Sequence, residues 1–152
     1  MKTWSMYIFA LLLSQSLALT TVQAAEPLQT QYGINGEVEV DLLSVSASGG
    51  ILTAAFAYRN TGTTESPIRY AVTDVYFLEK AEGKKYHVLT DSTGKPLATP
   101  LDGKMLSIPS WKFKPGARKL VWFKFPAPPE TIDSIELVLP DALPFESVAL
   151  TQ

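Results

Sequence analysis

Apolar and polar residues alternate with a period of two along most of the chain after residue 36. Residues 37–42 alternate acidic with aliphatic side chains, and residues 51–58 carry a regular apolar set on one side. That set consists of Leu52, Ala54, Phe56 and Tyr58. Because successive side chains of a β-strand point to opposite faces, this pattern predicts strands with one buried face and one wet face.

The same pattern continues to the end of the chain, interrupted by turn sequences. Further strands are predicted at 71–78, 86–90, 97–99, 105–108, 118–125, 132–139 and 145–150. Turns are predicted at 49–50, 60–62, 91–94 and 114–116, where glycine, proline, asparagine or aspartate is concentrated. Eight or nine short strands with turns about every 8–12 residues are typical of an antiparallel β-sandwich. We therefore predict an all-β protein with a single domain over residues 37–152.

The first 24 residues have the layout of a secretory signal peptide. Lys2 supplies the positive charge, residues 6–13 form an apolar run, and Val22 and Ala24 occupy the −3 and −1 positions of a cleavage site. A membrane anchor needs roughly 20 predominantly apolar residues, whereas this run is shorter and is interrupted at 14–16. The pattern predicts cleavage near Ala24, a flexible leader over residues 25–36, and a periplasmic or secreted bacterial protein.

Composition excludes several classes of chemistry. The absence of cysteine rules out thiol catalysis, disulfides and cysteine-bound zinc. A net charge of −2 argues against a general nucleic-acid binder, which is normally basic. His87 is the single histidine, and no Gly-x-Ser-x-Gly sequence presents a nucleophile to it. We therefore predict a protein that is not an enzyme, holds no metal and needs no cofactor.

Three acidic residues share one face of the first predicted strand. Glu37, Glu39 and Asp41 lie at i, i+2 and i+4, and calcium prefers several carboxylate ligands. Such neighbours are about 7 Å apart along a strand, too far to share an ion without help from loops. A solvated outer face is the simpler interpretation. The alternative is a carrier of a cation or small ligand, which uses this face or a cleft between the sheets.

A segment over residues 111–125 interleaves basic residues with two tryptophans. In its strand, Val121, Phe123 and Phe125 share one face, and the opposite face carries apolar residues between charged ones. The candidate binding residues are Trp111, Lys112, Lys114, Arg118, Leu120, Trp122 and Lys124. Such a combination suits an anionic or glycan partner through charge attraction and stacking on indole. The competing interpretation is a central strand covered on both faces, with lysines extending to its rim.

A set of short motifs occurs in a recognisable order between Asp41 and Leu150. The motifs are the stretches 41–45, 58–62, 83–86 with 91–94, 115–116, 125–129, and 139–140 with 144–148. In this order they resemble uncharacterised bacterial extracytoplasmic domains with an immunoglobulin-like fold. Such domains occur alone or ahead of peptidoglycan-binding modules of the outer-membrane-protein-A type. The resemblance implies an immunoglobulin-like β-sandwich in the cell envelope, with no established activity and no catalytic residues.

These observations favour an exported, non-enzymatic binding module. We expect its partner to be another envelope protein or an anionic envelope polymer, bound at the basic-aromatic segment. Neither nucleic acid nor a stable membrane span is expected. The chain ends at Gln152 without a peptidoglycan-binding module, so a tether of that kind to the cell wall is not expected.

Overall fold

The computed structural model describes residues 26–150, and the predicted signal peptide over residues 1–24 lies outside them. This part of the chain is all-β, as predicted, and contains two short 3₁₀ helices but no α-helix. The strands are β1 (Gln29–Tyr32), β2 (Val38–Ser48), β3 (Ile51–Asn60), β4 (Ile68–Ala71), β5 (Tyr76–Glu79), β6 (Lys84–His87), β7 (Ala98–Thr99), β8 (Leu101–Asp102), β9 (Met105–Ile108), β10 (Arg118–Pro126), β11 (Ser134–Val138) and β12 (Phe145–Ala149).

The strands form three antiparallel sheets. The first has the order β1-β2-β3-β10-β7, the second β12-β11-β5-β6 and the third β4-β9-β8. Twelve strands stand where eight or nine are predicted. The difference arises from strands of two to four residues, such as β4, β7 and β8. Strands this short are defined by pairing with a neighbour, and they leave too few residues for an alternating pattern.

Aromatic side chains join the first and second sheets across the core. The ring centroid of Phe56 on β3 lies 5.4 Å from that of Phe145 on β12, and Phe125 on β10 lies 5.5 Å from Phe77 on β5. All four rings are fully buried. Offset and edge-on aromatic pairs add about 0.5–1.5 kcal/mol beyond the burial of their surface. The two sheets therefore pack face to face, which confirms the predicted β-sandwich.

The β2–β3 hairpin forms the centre of the first sheet. Gly49 and Gly50 both have positive φ and close the turn, so Ser48 pairs with Ile51. A β-bulge between Leu42 and Ser44 inserts one extra residue into β2. Leu42 and Val45 are both buried as a result, although they are an odd number of positions apart.

The structure corrects the predicted flexible leader over residues 25–36. Gln29–Tyr32 form β1, which pairs with β2 from Leu42 to Glu39. The sequence of β1 is Gln-Thr-Gln-Tyr, which has no apolar alternation and so gives no strand signal. Its order comes from the free hydrogen-bonding edge of β2.

The predicted strand over residues 71–78 is also corrected. Its first part contains a 3₁₀ helix, Val72–Asp74, and only Tyr76–Glu79 continue as β5. Val72 and Val75 are both buried, which a 3₁₀ turn achieves at a spacing of three residues. Val72 and Val75 therefore reach the core by means of a helical turn, whereas Thr73 between them is exposed.

Candidate functional site

β10 presents one face to the core and the other to the surface. Val121, Phe123 and Phe125 are buried against the second sheet. The alternate residues Arg118, Leu120, Trp122 and Lys124 point outward, and we call them the outer face of β10. Leu120 is 60% exposed and Trp122 is half-buried, so an aliphatic and an aromatic side chain lie between two cations.

The residues of the neighbouring strand β3 cover little of the side chains of Leu120 and Trp122 on the outer face. In the register between β10 and β3, Leu120 lies opposite Ala57 and Trp122 opposite Ala55. Methyl side chains at these two positions cover little of a larger neighbour across the strands. Leu120 and Trp122 therefore project beyond the small alanine side chains of the neighbouring strand.

Hydrogen bonds at the end of β3 fix the start of β10. The Asn60 N–H donates to the Ala117 carbonyl, and the Gly116 N–H donates to the Asn60 carbonyl, at 3.0 and 2.9 Å. The Asn60 side chain is buried, and its Nδ2 donates to the carbonyl oxygens of Thr64 and Phe113, each at 2.8 Å. Asn60 thus joins three segments at the point where the chain enters β10.

The predicted turn over residues 114–116 leads directly into β10. Gly116 has a φ of 76°, and the Ala117 N–H donates to the Lys114 carbonyl at 2.9 Å. A positive φ at the third position is the conformation that glycine supplies in a type II turn. Lys114 itself is exposed in this turn.

Trp111 and Lys112 lie before that turn, in the 3₁₀ helix Ser110–Lys112. Trp111 is 62% exposed, and the Lys112 Nζ lies 4.7 Å from the centre of its indole ring. The predicted binding residues thus occupy two places. Four form the outer face of β10, and the other three lie in the segment that leads into it.

The cations of this region form no ion pair in the described part of the chain, although Arg118 is close enough to Asp41 to help lower its pKa. The ion pairs found between residues 26 and 150 use Arg59, Arg69 and Lys80. No ion pair involves Lys112, Lys114, Arg118 or Lys124 there. The Lys124 Nζ instead lies 6.0 Å from the centre of the Trp122 ring. Cations without ion-pair partners create a positive local potential even though the whole chain is slightly acidic.

One edge of β10 is open over residues 118–120. The Lys124 N–H donates to the Leu97 carbonyl, and the Lys124 carbonyl accepts from the Leu89 N–H, so the backbone groups of Lys124 point away from β3. Because these directions alternate along an antiparallel strand, Arg118 and Leu120 point the same way. β7 pairs only with Trp122 and Phe123, and no described strand pairs with β10 beyond them on that side.

A groove of about 400 Å³ lies beside Trp122. It separates β10 from the turn that precedes β7. Its lining residues are Asp91, Lys95, Pro96, Leu97, Ala98, Thr99, Leu101 and Trp122. The Asp91 carboxylate is engaged in the predicted turn, where it accepts from the Thr93 hydroxyl and from the N–H groups of Thr93 and Lys95. These bonds hold the pKa of Asp91 below its usual value.

The acidic face of β2 is occupied by an arginine. Arg59 Nε lies 2.7 Å from Asp41 Oδ2, and the same guanidinium also binds Glu39. Burial raises the pKa of Asp41, but hydrogen bonds from Arg59 and Thr30 outweigh it, so the pKa lies below the usual value. Glu37 lies apart from this pair, beside Gly62 and Thr64. Residues 26–150 contain no group of three or more side chains able to hold a metal ion.

A buried polar cluster, which the sequence analysis missed, joins β3, β4 and the loop after β11. The Tyr58 hydroxyl donates to Asp141 Oδ1 at 2.9 Å and lies 2.8 Å from the Tyr70 hydroxyl. Because Tyr58 has one proton to donate, the Tyr70 hydroxyl donates to it. Burial raises the pKa of Asp141 to about 6, although the hydrogen bond from Tyr58 opposes this shift. Burial also raises the pKa of both tyrosines.

The only signal for this cluster is Tyr58 itself. A tyrosine on an otherwise apolar strand face predicts a buried hydroxyl that needs a partner. Nothing in the sequence indicates that Asp141 supplies it. A cavity of about 150 Å³ adjoins Asp141, with walls that include Val38 and Ile68.

His87 is exposed on β6, in agreement with the expectation that it faces solvent. Its Nδ1 lies 3.2 Å from the Thr73 carbonyl oxygen, and its ring packs 5.9 Å from that of Tyr76. Within the described residues, no hydroxyl group is hydrogen-bonded to the imidazole.

Comparisons with known proteins identify no family for this chain. No protein-family model matches it, and no curated protein matches it. Among solved structures, it is similar to the crystal structure of MPT63, a secreted protein from Mycobacterium tuberculosis, with 14% sequence identity and a TM-score of 0.43. The match covers 79% of this chain and 96% of that one. Within residues 26–150, no helix has the length and apolar character required to cross a bilayer.

Proposed function

We propose that this protein is an exported, non-enzymatic binding module that holds an anionic partner of the cell envelope on the outer face of β10. One observation carries the proposal: an exposed Leu120 and a half-buried Trp122 lie between Arg118 and Lys124, and neither cation has an ion-pair partner in the described chain. Lys112 and Lys114 add positive charge in the segment that leads into the strand.

The arrangement suits binding for two physical reasons. Exposed apolar side chains release free energy when a partner covers them, at about 25 cal/mol for each Å² of apolar surface removed from water. Cations without ion-pair partners attract an anionic partner over distances of about 8–10 Å at ordinary salt and so raise its association rate. An anionic partner with some apolar surface uses both contributions.

The absence of catalysis is part of the proposal. His87 contacts a backbone carbonyl and an aromatic ring, rather than a nucleophile, in the described structure. Asp41 is paired with Arg59, and the hydrogen bonds from Arg59 and Thr30 lower its pKa, which makes it a poor proton carrier near neutral pH. Export and a periplasmic location rest on the signal-peptide pattern of residues 1–24.

Crosslinking in the periplasm of living cells tests the proposal. The test variant combines Trp122→Ala with Lys124→Glu, which removes the indole and reverses the neighbouring charge. The matched control combines Tyr32→Ala with Lys85→Glu, which changes an exposed aromatic residue and an exposed lysine elsewhere on the molecule. Captured partners should be lost with the test variant and retained with the control. Equal capture by the wild type and the test variant would remove β10 as the binding site.

A further inference from the structure

We propose that the partner is an acidic polypeptide segment, which binds as an added strand along the open edge of β10 at residues 118–120. This inference rests on the proposed function and specifies the chemistry of its partner. Strand addition satisfies the backbone groups of an exposed sheet edge with those of an extended peptide.

The backbone of β10 offers the required groups. The N–H and C=O groups of Lys124 point away from β3 and bond to Leu97 and Leu89. Arg118 and Leu120 lie an even number of residues from Lys124, so their N–H and C=O groups also point away from β3. β7 reaches only Trp122 and Phe123. An added strand would therefore continue the line of β7 and form up to two pairs of hydrogen bonds with β10.

The course of the chain keeps this edge open. After Thr99, the chain leaves the first sheet and enters β8, which pairs with β9 in the third sheet. Arg118 and Leu120 are both exposed beyond this departure point. No other described strand occupies the space beside them in the first sheet.

The side chains define which peptide fits. On the outer face, a residue of the added strand next to Arg118 meets a cation, and one next to Leu120 meets an exposed aliphatic group. Cross-strand pairs of opposite charge and of apolar residues both stabilise the pairing of two strands. The edge therefore selects a segment in which acidic and apolar residues share one face.

The same geometry favours a polypeptide over an anionic polysaccharide. Like-facing backbone groups of β10 repeat about every 7 Å, the spacing at which an extended peptide presents its own N–H and C=O groups. A polysaccharide supplies anions for Arg118 and Lys124 but no matching ladder of amides. Only a peptide uses the backbone edge together with the side chains.

Three probes test the inference with the purified wild-type protein. The first is a short extended peptide of repeating Glu-Thr-Val-Thr, which places glutamate and valine alternately on one face. The second is the same peptide with N-methyl groups on every other amide, made in both phases, so that one form carries the methyl groups toward β10 and the other form away from it. The third is polygalacturonate, an anionic polysaccharide. We expect the first peptide to bind, and the form whose methyl groups face β10 to bind at least about tenfold more weakly than the form methylated in the opposite phase, because each lost hydrogen bond is worth about 1 kcal/mol.

Amide hydrogen exchange gives a second measurement that requires no variant. The N–H of Leu120 points to the open edge, and the N–H of Val121 lies in the ladder with β3. In the free protein, Leu120 should exchange faster than Val121. Saturation with the unmethylated peptide should slow the exchange of Leu120 and leave that of Val121 nearly unchanged.

A proline substitution tests the edge from the protein side. Leu120→Pro removes the edge donor without removing a hydrogen bond to β3, and proline is tolerated where an edge N–H faces solvent. It should abolish peptide binding, whereas Leu120→Thr, which retains the donor, should weaken binding only partly. Since the methylated peptides act on the wild type, a folding defect in the proline variant would not obscure the result.

The outcomes separate the inference from the proposed function. Equal binding of methylated and unmethylated peptides, lost in Arg118→Glu, would overturn strand addition and leave β10 as an anion-binding face. Binding of polygalacturonate alone would also overturn strand addition and identify a polymer as the partner. Binding of none of the probes, together with crosslinking that is unchanged in Trp122→Ala/Lys124→Glu, would overturn both.

Discussion

The buried Tyr58 hydroxyl donates a hydrogen bond of 2.9 Å to the half-buried Asp141 carboxylate in the loop after β11. Burial raises the pKa of Asp141 from its usual 3.8 to about 6. The folded protein therefore binds a proton at this site in a pH range where the unfolded chain has already released it. Stability contributed by this group is greatest below about pH 4 and is lost as the pH rises through about 6.

Asp141→Asn should remove this pH dependence. As the pH rises from 4 to 7, the difference in unfolding free energy between the variant and the wild type should shift in favour of the variant by up to about 3 kcal/mol. Each pKa unit corresponds to about 1.4 kcal/mol. Denaturant unfolding of both proteins at intervals across this range measures the difference. Asp41 and Asp91, whose pKa values are lowered, act in the opposite direction but equally in both proteins. Parallel curves would show that Asp141 is not the responsible group.

Tyr58→Phe should destabilise the protein more than Tyr70→Phe. Tyr58 donates to Asp141 and accepts from Tyr70, so its loss leaves the buried Tyr70 hydroxyl and the half-buried Asp141 carboxylate without this partner. Tyr70→Phe removes a single donor, and Tyr58 keeps its bond to Asp141. We expect losses of about 2–4 and about 1 kcal/mol, measured by thermal or denaturant unfolding. The reverse order would mean that Tyr70 has a partner more important than Tyr58.

Asn60→Asp should be more harmful than Asn60→Ala, although aspartate has nearly the same shape as asparagine. Asn60 Nδ2 donates to the carbonyl oxygens of Thr64 and Phe113 in a buried position. A carboxylate there directs an oxygen at two other oxygens, and burial disfavours its charge. We expect a loss of about 1–3 kcal/mol for alanine and a larger loss for aspartate at pH 7. Lowering the pH should restore part of the stability of the aspartate variant alone.

Calcium should leave the thermal stability of the wild type unchanged. Arg59 already pairs with Glu39 and Asp41, so the acidic face of β2 has no free set of carboxylates. A ligand present at a hundred times its dissociation constant would add about 2.7 kcal/mol, which a thermal melt detects readily. Magnesium serves as the control for ionic strength. A shift specific to calcium would restore the cation-carrier alternative.

The sequence was sufficient to predict β3, β10 and the first part of β2. Alternation marks residues 51–58, 118–125 and 37–42, whereas the rest of β2 follows the bulge between Leu42 and Ser44, which breaks the period of two. The assignment of Leu120 and Trp122 to the outer face followed from this pattern. Their degree of exposure did not, because it depends on the small residues Ala55 and Ala57 that the register places beside them.

Features that depend on pairing between distant segments were not predictable in this way. β1 has a polar sequence and is ordered by the edge of β2. The pairing of Asp41 with Arg59 requires the β2–β3 register after the bulge, and that of Tyr58 with Asp141 joins residues 83 positions apart. Alternation within a strand contains no information about which distant residue lies opposite.

The charge of the open edge of β10 also bears on contacts between copies of the protein. Antiparallel association of two such edges would bring Arg118 and Lys119 of one copy close to the same residues of the other. Repulsion between like charges disfavours this contact, and charged residues on exposed strands protect many β proteins from edge-to-edge aggregation. The residues that would attract an acidic segment would therefore also keep the protein from polymerising through its own sheet.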